Sequence, residues 1–172
     1  MQRRTNTPSS VGGHRVVVRQ IGDRPLYLGN QYAAGDDDVT HELVETFAAP
    51  GVPVLSLGGG DLPLTTHHHP IHDGSNDQAR FDTAMDTACR LYREVDAGDR
   101  PGPMLVNCAA GISRSTTAIA TILTTTEAVP FETAVKTVQK HRECADPHPV
   151  LVEHAATYLD DVPGVQPVDP DL

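Results

Sequence analysis

The stretch MLVNCAAGISRSTTAIATIL, residues 104–123, joins an apolar segment to a helical one through a short loop of small residues. The run MLVN is continuously apolar up to Asn107, which is typical of a strand in the middle of a sheet covered on both faces. After the loop, Ser113 or Ser115 is a suitable first residue for a helix. Loops that leave a buried strand and enter a helix lie at the carboxyl edge of the sheet, where open α/β folds bind ligands. We therefore expect a binding site between residues 108 and 114.

The chemistry of this loop predicts an anion site. Small side chains let the backbone N–H groups converge on an anion beside the positive end of a helix dipole. Arg114 adds a planar guanidinium that matches two phosphate oxygens. The loop is therefore predicted to bind a tetrahedral phosphate dianion. The predicted phosphate-binding residues are Ala109, Ala110, Gly111, Ile112, Ser113 and Arg114.

Cys108, at the start of this loop, is the candidate nucleophile. Donors that attract phosphate also stabilise a thiolate, which would lie directly below a bound phosphorus atom. Its attack would form a phosphocysteine that water later removes. A lone cysteine is more commonly a small buried side chain. The loop and Arg114 together favour the nucleophile.

Outward from the loop, the chain alternates strand and helix patterns. Strands are predicted in RVVVRQI, PLYLGN and VPVLSL, and helices in HELVETFAA, QARFDTAMDTACRLYREV, FETAVKTVQKHR and VLVEHAATYL. The segment THHHPIHDGSND reads as a brief extended stretch that runs into a turn. This order predicts an α/β fold with a central, mostly parallel sheet flanked by helices. We expect one domain over residues 15–162, with flexible tails at 1–14 and 163–172.

Composition limits the partners and the compartment. Aspartate and glutamate outnumber lysine and arginine 23 to 13, giving a net charge of −10 that argues against binding nucleic acid. No apolar run reaches the roughly eighteen residues of a membrane span. An opening without an apolar signal segment, and three cysteines without paired spacing, predict a cytoplasmic protein, which we expect to be a monomer. The aspartate-rich, lysine-poor surface is as typical of a salt-adapted protein as of an ordinary acidic enzyme.

The motif CAAGISRS, a Cys-x5-Arg-Ser pattern, resembles the signature of the cysteine-dependent protein tyrosine phosphatase superfamily, specifically the dual-specificity phosphatases. PLYLGNQYAA, VPVLSL, HPIHD and PFETAVKTVQKHR are similar to other segments of that family, so the resemblance covers about residues 16–160. It implies a protein-tyrosine-phosphatase-like fold and a phosphocysteine mechanism without metal or cofactor. The substrates it implies are phosphorylated proteins, with phosphotyrosine first and phosphoserine or phosphothreonine second.

The resemblance also implies an aspartate general acid about thirty residues before the cysteine. Asp73 directly follows the extended HPIH, where the acid of the family stands relative to its strand, but it lies 35 positions before Cys108. Asp77 lies 31 positions before, yet it stands at the start of a predicted helix, where an aspartate is more simply an N-cap. We take Asp73 as the acid and keep Asp77 as the alternative.

Three further residues near the loop have expected roles. By the resemblance, Ser115 would hydrogen-bond the thiolate as it leaves the phosphocysteine. Ser113 is expected to bond backbone and stiffen the loop. Asn107 stands where the family usually has histidine, and an asparagine there can still order the loop by hydrogen bonding.

The cluster His67, His68, His69 and His72 raises the possibility of a metal site. Adjacent residues of an extended segment point to opposite faces, so these imidazoles are not expected to converge on one ion. We interpret them as a polar rim of the site and predict no metal. Cys89 and Cys144 are expected to be structural, and a disulfide to Cys108 stays an alternative.

Other functions compete with the phosphatase interpretation. A phosphoinositide phosphatase would normally have lysines in the loop, and AAGIS has none. A rhodanese-like sulfurtransferase also uses a cysteine loop but does not need the preceding acid. A catalytically weak pseudophosphatase that binds phosphoproteins, or a phosphatase of a non-protein phosphomonoester, remains the alternative function.

Overall fold

The computed structural model describes residues 15–169, which form five strands and five helices. The strands are β1 (Val18–Gln20), β2 (Leu26–Gly29), β3 (Val54–Ser56), β4 (His67–His68) and β5 (Met104–Asn107). The helices are α1 (Val44–Ala48), α2 (Gln78–Asp96), α3 (Arg114–Glu127), α4 (Phe131–Gln139) and α5 (Pro149–Asp160). Two 3₁₀ turns, Gln31–Ala34 and Asp36–Asp38, follow β2. Each segment predicted as a strand or helix contains one of these elements.

The sheet has the strand order β1-β2-β5-β3-β4. β1 pairs with β2 antiparallel, while β2 with β5, β5 with β3, and β3 with β4 are parallel. The predicted α/β fold with a mostly parallel sheet is therefore confirmed. β5 is the middle strand, so the loop that follows it leaves from the centre of the carboxyl edge.

Both faces of the sheet are covered, which explains the continuous apolar character of β5. Met104 and Val106 belong to the larger core, which contains residues of α2, α3, α4 and α5. Leu105 belongs to a smaller core on the opposite face, with residues of α1 and of the first 3₁₀ turn. All three side chains are fully buried.

Helix α3 is central to the larger core and fixes the far end of the loop. It packs against α2, α4, α5 and β5, and its residues from Ser115 to Thr124 are all buried. The loop is therefore held between a central strand and a central helix. Such supports fix the positions of its backbone groups.

The domain boundaries stay predictions. Residues 1–14 and 170–172 lie outside the described part of the chain. Within the predicted C-terminal tail, residues 165–169 have no helix or strand, yet Val165 and Val168 pack against the larger core. In the described range 15–169, no helix has the length and apolar character that crossing a membrane requires.

Candidate active site

The carbonyl groups of residues 109–113 all accept hydrogen bonds from donors outside the loop. Their donors are the Gln31 N–H to Ala109 (3.2 Å), Arg142 Nη2 and Nε to Ala110 and Gly111 (3.1 Å each), the Asp146 N–H to Ile112 (2.9 Å) and the Thr117 N–H to Ser113 (2.9 Å). In a planar trans peptide the N–H points opposite to the carbonyl of the preceding residue. Over residues 15–169, no protein acceptor takes the N–H groups of residues 109–113. The interior of the loop is therefore lined with backbone donors, which is the geometry of an anion nest.

Gly111 lets the loop lie against the end of β2. Its φ of 66° is in the left-handed region, and a Cβ there would lie 3.0 Å from the Gly29 carbonyl oxygen and 3.2 Å from the Asn30 nitrogen. The Cys108 N–H also donates to the Gly29 carbonyl at 3.3 Å. The end of β2 therefore supports both halves of the loop.

Cys108 lies at the base of the loop with its sulfur beside a hydroxyl. Only 2% of the residue is exposed, and Sγ is 3.3 Å from Oγ of the fully buried Ser115. Cys108 also lines a cavity of about 100 Å³, whose wall includes residues 58–60, Asp36 and Asp61. The structure thus places the Ser115 hydroxyl beside the Cys108 sulfur.

Arg114 is the first residue of α3, and its half-buried side chain reaches the segment before α2. Nη1 donates to the Ile71 carbonyl oxygen at 3.2 Å, which uses one of its several N–H donors. Ser113 precedes the helix, but its Oγ accepts the His148 N–H at 2.8 Å and makes no capping bond. The Ser113 side chain therefore leaves the first N–H groups of α3 unbonded, and the positive end of the helix dipole lies next to the loop.

The two candidate acids lie in the segment between Ile71 and α2. Asp73 and Asp77 are both exposed. Asp77 occupies the N-cap position of α2, as predicted, although its side chain makes no capping hydrogen bond. The bond from Arg114 to Ile71 holds this segment beside the loop of residues 108–114.

Asn107 bonds to the neighbouring strand rather than to the loop. Its Nδ2 donates to the Leu55 carbonyl oxygen at 3.2 Å and to Ser56 Oγ at 2.8 Å. Ser56 Oγ is in turn 2.7 Å from Thr65 Oγ1. Asn107 thus links β5 to β3 directly below Cys108.

The histidines of residues 67–69 bond separately. His68 Nε2 donates to the Gly58 carbonyl at 2.7 Å, whereas His69 Nε2 is 3.3 Å from Thr87 Oγ1. Burial, ahead of nearby positive charges, lowers the pKa of His67 and of His69. Among the residues that the structure describes, no group of three or more histidine, cysteine or acidic side chains is arranged to hold a metal ion.

The cysteines are all free thiols in the structure. Cys89 is buried, and burial raises the pKa of its thiol, which is 3.5 Å from Thr125 Oγ1. Cys144 is exposed. Cys108 therefore enters the site without a disulfide partner.

Three residues that sequence reasoning did not single out also contribute to the site. Arg142 holds two loop carbonyls, and Asn76 and His154 hold the segment with the candidate acids. His154 lies three positions after the buried Leu151 on α5, so helical spacing places it at the edge of the buried face. Arg142 has no such local signal, because it lies after the end of α4 and meets the loop only through packing.

The sheet order and the loop between its central strand and α3 define the class: the chain has the fold of the dual-specificity phosphatases, and the predicted resemblance to them is confirmed. It is 29% identical over 140 residues to MAP kinase phosphatase with leucine-rich repeats protein 3 of Dictyostelium discoideum, which covers 77% of this chain and 15% of that protein. It is 27% identical over 140 residues to dual specificity protein phosphatase 12 of Rattus norvegicus, which covers 80% of this chain and 39% of that protein. The chain thus aligns with less than half the length of either relative.

Solved structures agree on the fold. The Yvh1 phosphatase domain from Chaetomium thermophilum superposes with a TM-score of 0.68 at 20% identity, covering 87% of this chain and all of that domain. No family model matches the chain.

Proposed function

We propose that this chain is a cysteine-dependent phosphatase that hydrolyses phosphomonoesters through a phosphocysteine on Cys108. The observation that carries the proposal is that the carbonyls of residues 109–113 all bond to groups outside the loop, which directs the N–H groups of residues 110–114 towards the loop interior. Backbone donors fixed in advance stabilise the charge that develops on a phosphoryl group in the transition state.

In the first step the Cys108 thiolate donates an electron pair to phosphorus, and the S–P bond forms as the P–O bond to the leaving group breaks. The loop N–H groups and Arg114 bind the equatorial oxygens while charge spreads over them. Asp73, or alternatively Asp77, transfers its proton to the departing oxygen, so that the leaving group departs as a neutral alcohol or phenol.

In the second step a water molecule attacks phosphorus and gives its proton to the carboxylate of the same aspartate. The S–P bond breaks, inorganic phosphate forms, and the electron pair returns to sulfur. Ser115 Oγ, 3.3 Å from Sγ, donates a hydrogen bond to the returning thiolate and so stabilises it. This cycle uses no metal ion and no cofactor.

The proposed substrates are phosphorylated proteins, with phosphotyrosine first and phosphoserine or phosphothreonine second. The support is the likeness to proteins named as a MAP kinase phosphatase and as a dual specificity protein phosphatase. A reducing compartment such as the cytoplasm fits a nucleophile that must stay a thiol. We propose that the protein acts there as a monomer, without nucleic acid or membrane partners.

The decisive experiment measures hydrolysis of p-nitrophenyl phosphate without added metal by the wild type and by Cys108→Ser. Turnover that vanishes in the variant and is blocked by vanadate supports the proposal, and repeating it in molar potassium chloride tests salt adaptation. If the protein binds vanadate or phosphotyrosine but hydrolyses neither p-nitrophenyl phosphate nor phosphotyrosine at any salt concentration, its function is that of a pseudophosphatase.

The assignment of the general acid has its own test. Asp73→Asn and Asp77→Asn are compared on a substrate with a poorly acidic leaving group, such as a phosphotyrosine peptide. Only the variant that lacks the true general acid should show a kcat lower by about 10²-fold or more, since that is the typical contribution of general acid catalysis. A loss in Asp77→Asn alone would make Asp77 the acid and Asp73 a surface residue.

A further inference from the structure

Asn76 folds the segment that holds both candidate acids. Its Oδ1 accepts the His72 N–H at 2.7 Å, and its Nδ2 donates to the His72 and Gly74 carbonyl oxygens at 3.0 Å each. These bonds span Asp73 on both sides. Because Asp77 directly follows Asn76 in the chain, the Asn76 side chain fixes backbone next to both candidate acids.

The segment is then tied to α5 by a histidine. The Asn76 N–H donates to Nε2 of His154 at 3.0 Å. On the opposite side of the ring, His154 Nδ1 is 2.5 Å from Gln78 Oε1. Since Nε2 accepts a hydrogen bond, the ring hydrogen is on Nδ1, which donates a hydrogen bond to Gln78 Oε1.

The orientation of the His154 ring is fixed from several directions. It stacks on Phe81, with ring centroids 5.3 Å apart and an interplanar angle of 24°. Gln78 Nε2 donates to the His154 carbonyl at 3.0 Å and to Asp82 Oδ1 at 2.7 Å. The acceptor nitrogen is therefore held in place before any substrate binds.

We propose that His154 and Asn76 are positioning residues that set the general acid of this enzyme, which deepens the proposed function and rests on it. Arg114 fixes one end of the acid segment through Ile71, and His154 fixes the other end through Asn76. The carboxylic acid is thus held relative to the loop that binds the phosphate. Catalytic groups need such support because small misplacements cost large factors in rate.

Leaving-group dependence separates this role from a general structural one. A general acid matters most when the departing oxygen is strongly basic, as in tyrosine with a pKa of about 10, and least for an acidic phenol such as p-nitrophenol. A misplaced acid therefore slows phosphotyrosine more than p-nitrophenyl phosphate. A disturbed core or phosphate loop slows both alike.

The test compares His154→Phe with His154→Gln. Phenylalanine keeps the ring and its stack on Phe81 but removes the acceptor, whereas glutamine returns an acceptor oxygen. For His154→Phe we expect kcat on a phosphotyrosine peptide to fall roughly tenfold or more and kcat on p-nitrophenyl phosphate to fall by no more than about threefold. His154→Gln should recover most of that loss, and Asn76→Ala should reproduce it. Thr157→Val, on the exposed side of α5, is the matched control and should lose neither activity.

Hydrogen exchange makes the test independent of turnover. The amides of residues 72–77 should exchange faster in His154→Phe than in the wild type and return towards the wild-type rate in His154→Gln. Equal loss on both substrates, or unchanged exchange in this segment, overturns the proposal. Turnover that survives Cys108→Ser overturns the proposed function instead, so the two failures are distinguishable.

Discussion

At the scale of single residues, Arg142 shows how a charged side chain can support the proposed phosphate loop by bonding to its backbone. Its guanidinium donates to the carbonyls of Ala110 and Gly111, and this directs the following N–H groups inward. Arg142→Lys keeps the charge but loses the planar pair of donors. We expect the KM for p-nitrophenyl phosphate and the inhibition constant of inorganic phosphate to rise roughly tenfold, the equivalent of one charge-assisted hydrogen bond. Arg93→Lys, at an exposed position of α2, is the matched control, and equal constants in all three proteins would contradict the role.

Gly111 carries the second residue-scale prediction. Any Cβ there meets the backbone of Gly29 at 3.0 Å and is also strained by a φ of 66°. Gly111→Ala should therefore displace the loop and lower kcat/KM for p-nitrophenyl phosphate roughly a hundredfold while the protein stays folded. Gly59→Ala is the control, because an added Cβ there has no neighbour within 4 Å. Near-equal kcat/KM in the two variants would show that the loop tolerates the displacement.

At the scale of elements, α3 carries buried hydroxyl groups that differ in whether they are bonded. Among the described residues, Thr116 Oγ1 and Thr124 Oγ1 have no hydrogen-bond partner, whereas Thr121 Oγ1 donates to the Thr117 carbonyl at 2.8 Å. A buried, unbonded hydroxyl costs free energy, and valine has nearly the same shape. Thr124→Val should raise the free energy of unfolding by about 1 kcal/mol in urea denaturation. Thr121→Val should not raise it, and a gain of equal size in both variants would contradict the explanation.

The elements also show what local sequence can predict. β5 and α3 follow from short-range patterns, an apolar run and a helical spacing, and both lie where the sequence placed them. The predicted helix over residues 41–49 is only Val44–Ala48, because His41 Nδ1 accepts the Leu43 N–H at 3.1 Å and this local bond competes with a helical turn. That competition depends on the tertiary position of the His41 ring, whose Nε2 donates to the Ala33 carbonyl at 2.9 Å.

At the scale of the whole molecule, some residues of the site can be predicted from local sequence and others reach it only through tertiary packing. Cys108, Arg114 and Ser115 lie on one loop and helix start, so their closeness follows from the sequence, whereas the role of Ser115 is implied by the resemblance to the dual-specificity phosphatases. Arg142 and His154 come from the second half of the chain and reach the site only because α4 and α5 pack against α3. Side chains that position a site from distant elements leave little local pattern, since any residue of the right reach can serve.

Stability towards acid belongs to the scale of the whole molecule, because histidines in distant segments accept backbone N–H groups through a neutral ring nitrogen. His41 accepts from Leu43 and His141 accepts from Gly22, each at 3.1 Å. Burial, as the largest cause, lowers the pKa of His41 and of His141 below the ordinary value of 6.5. Between the folded pKa and about 6.5 the unfolded chain binds more protons than the folded one.

The free energy of unfolding should therefore be undiminished above about pH 6.5 and decrease as the pH falls below it, until the folded pKa is passed. We expect the urea midpoint to be lower at pH 5.5 than at pH 7.5, and this difference to shrink in the double variant His41→Gln/His141→Gln. His72→Gln, at an exposed position, should keep the wild-type difference. Glu94, whose pKa is lowered by its hydrogen bond to Arg100 (2.7 Å), adds a separate loss of stability only as the pH falls below about 4.5. A pH difference that persists in full in the double variant would contradict the assignment of the acid sensitivity to His41 and His141.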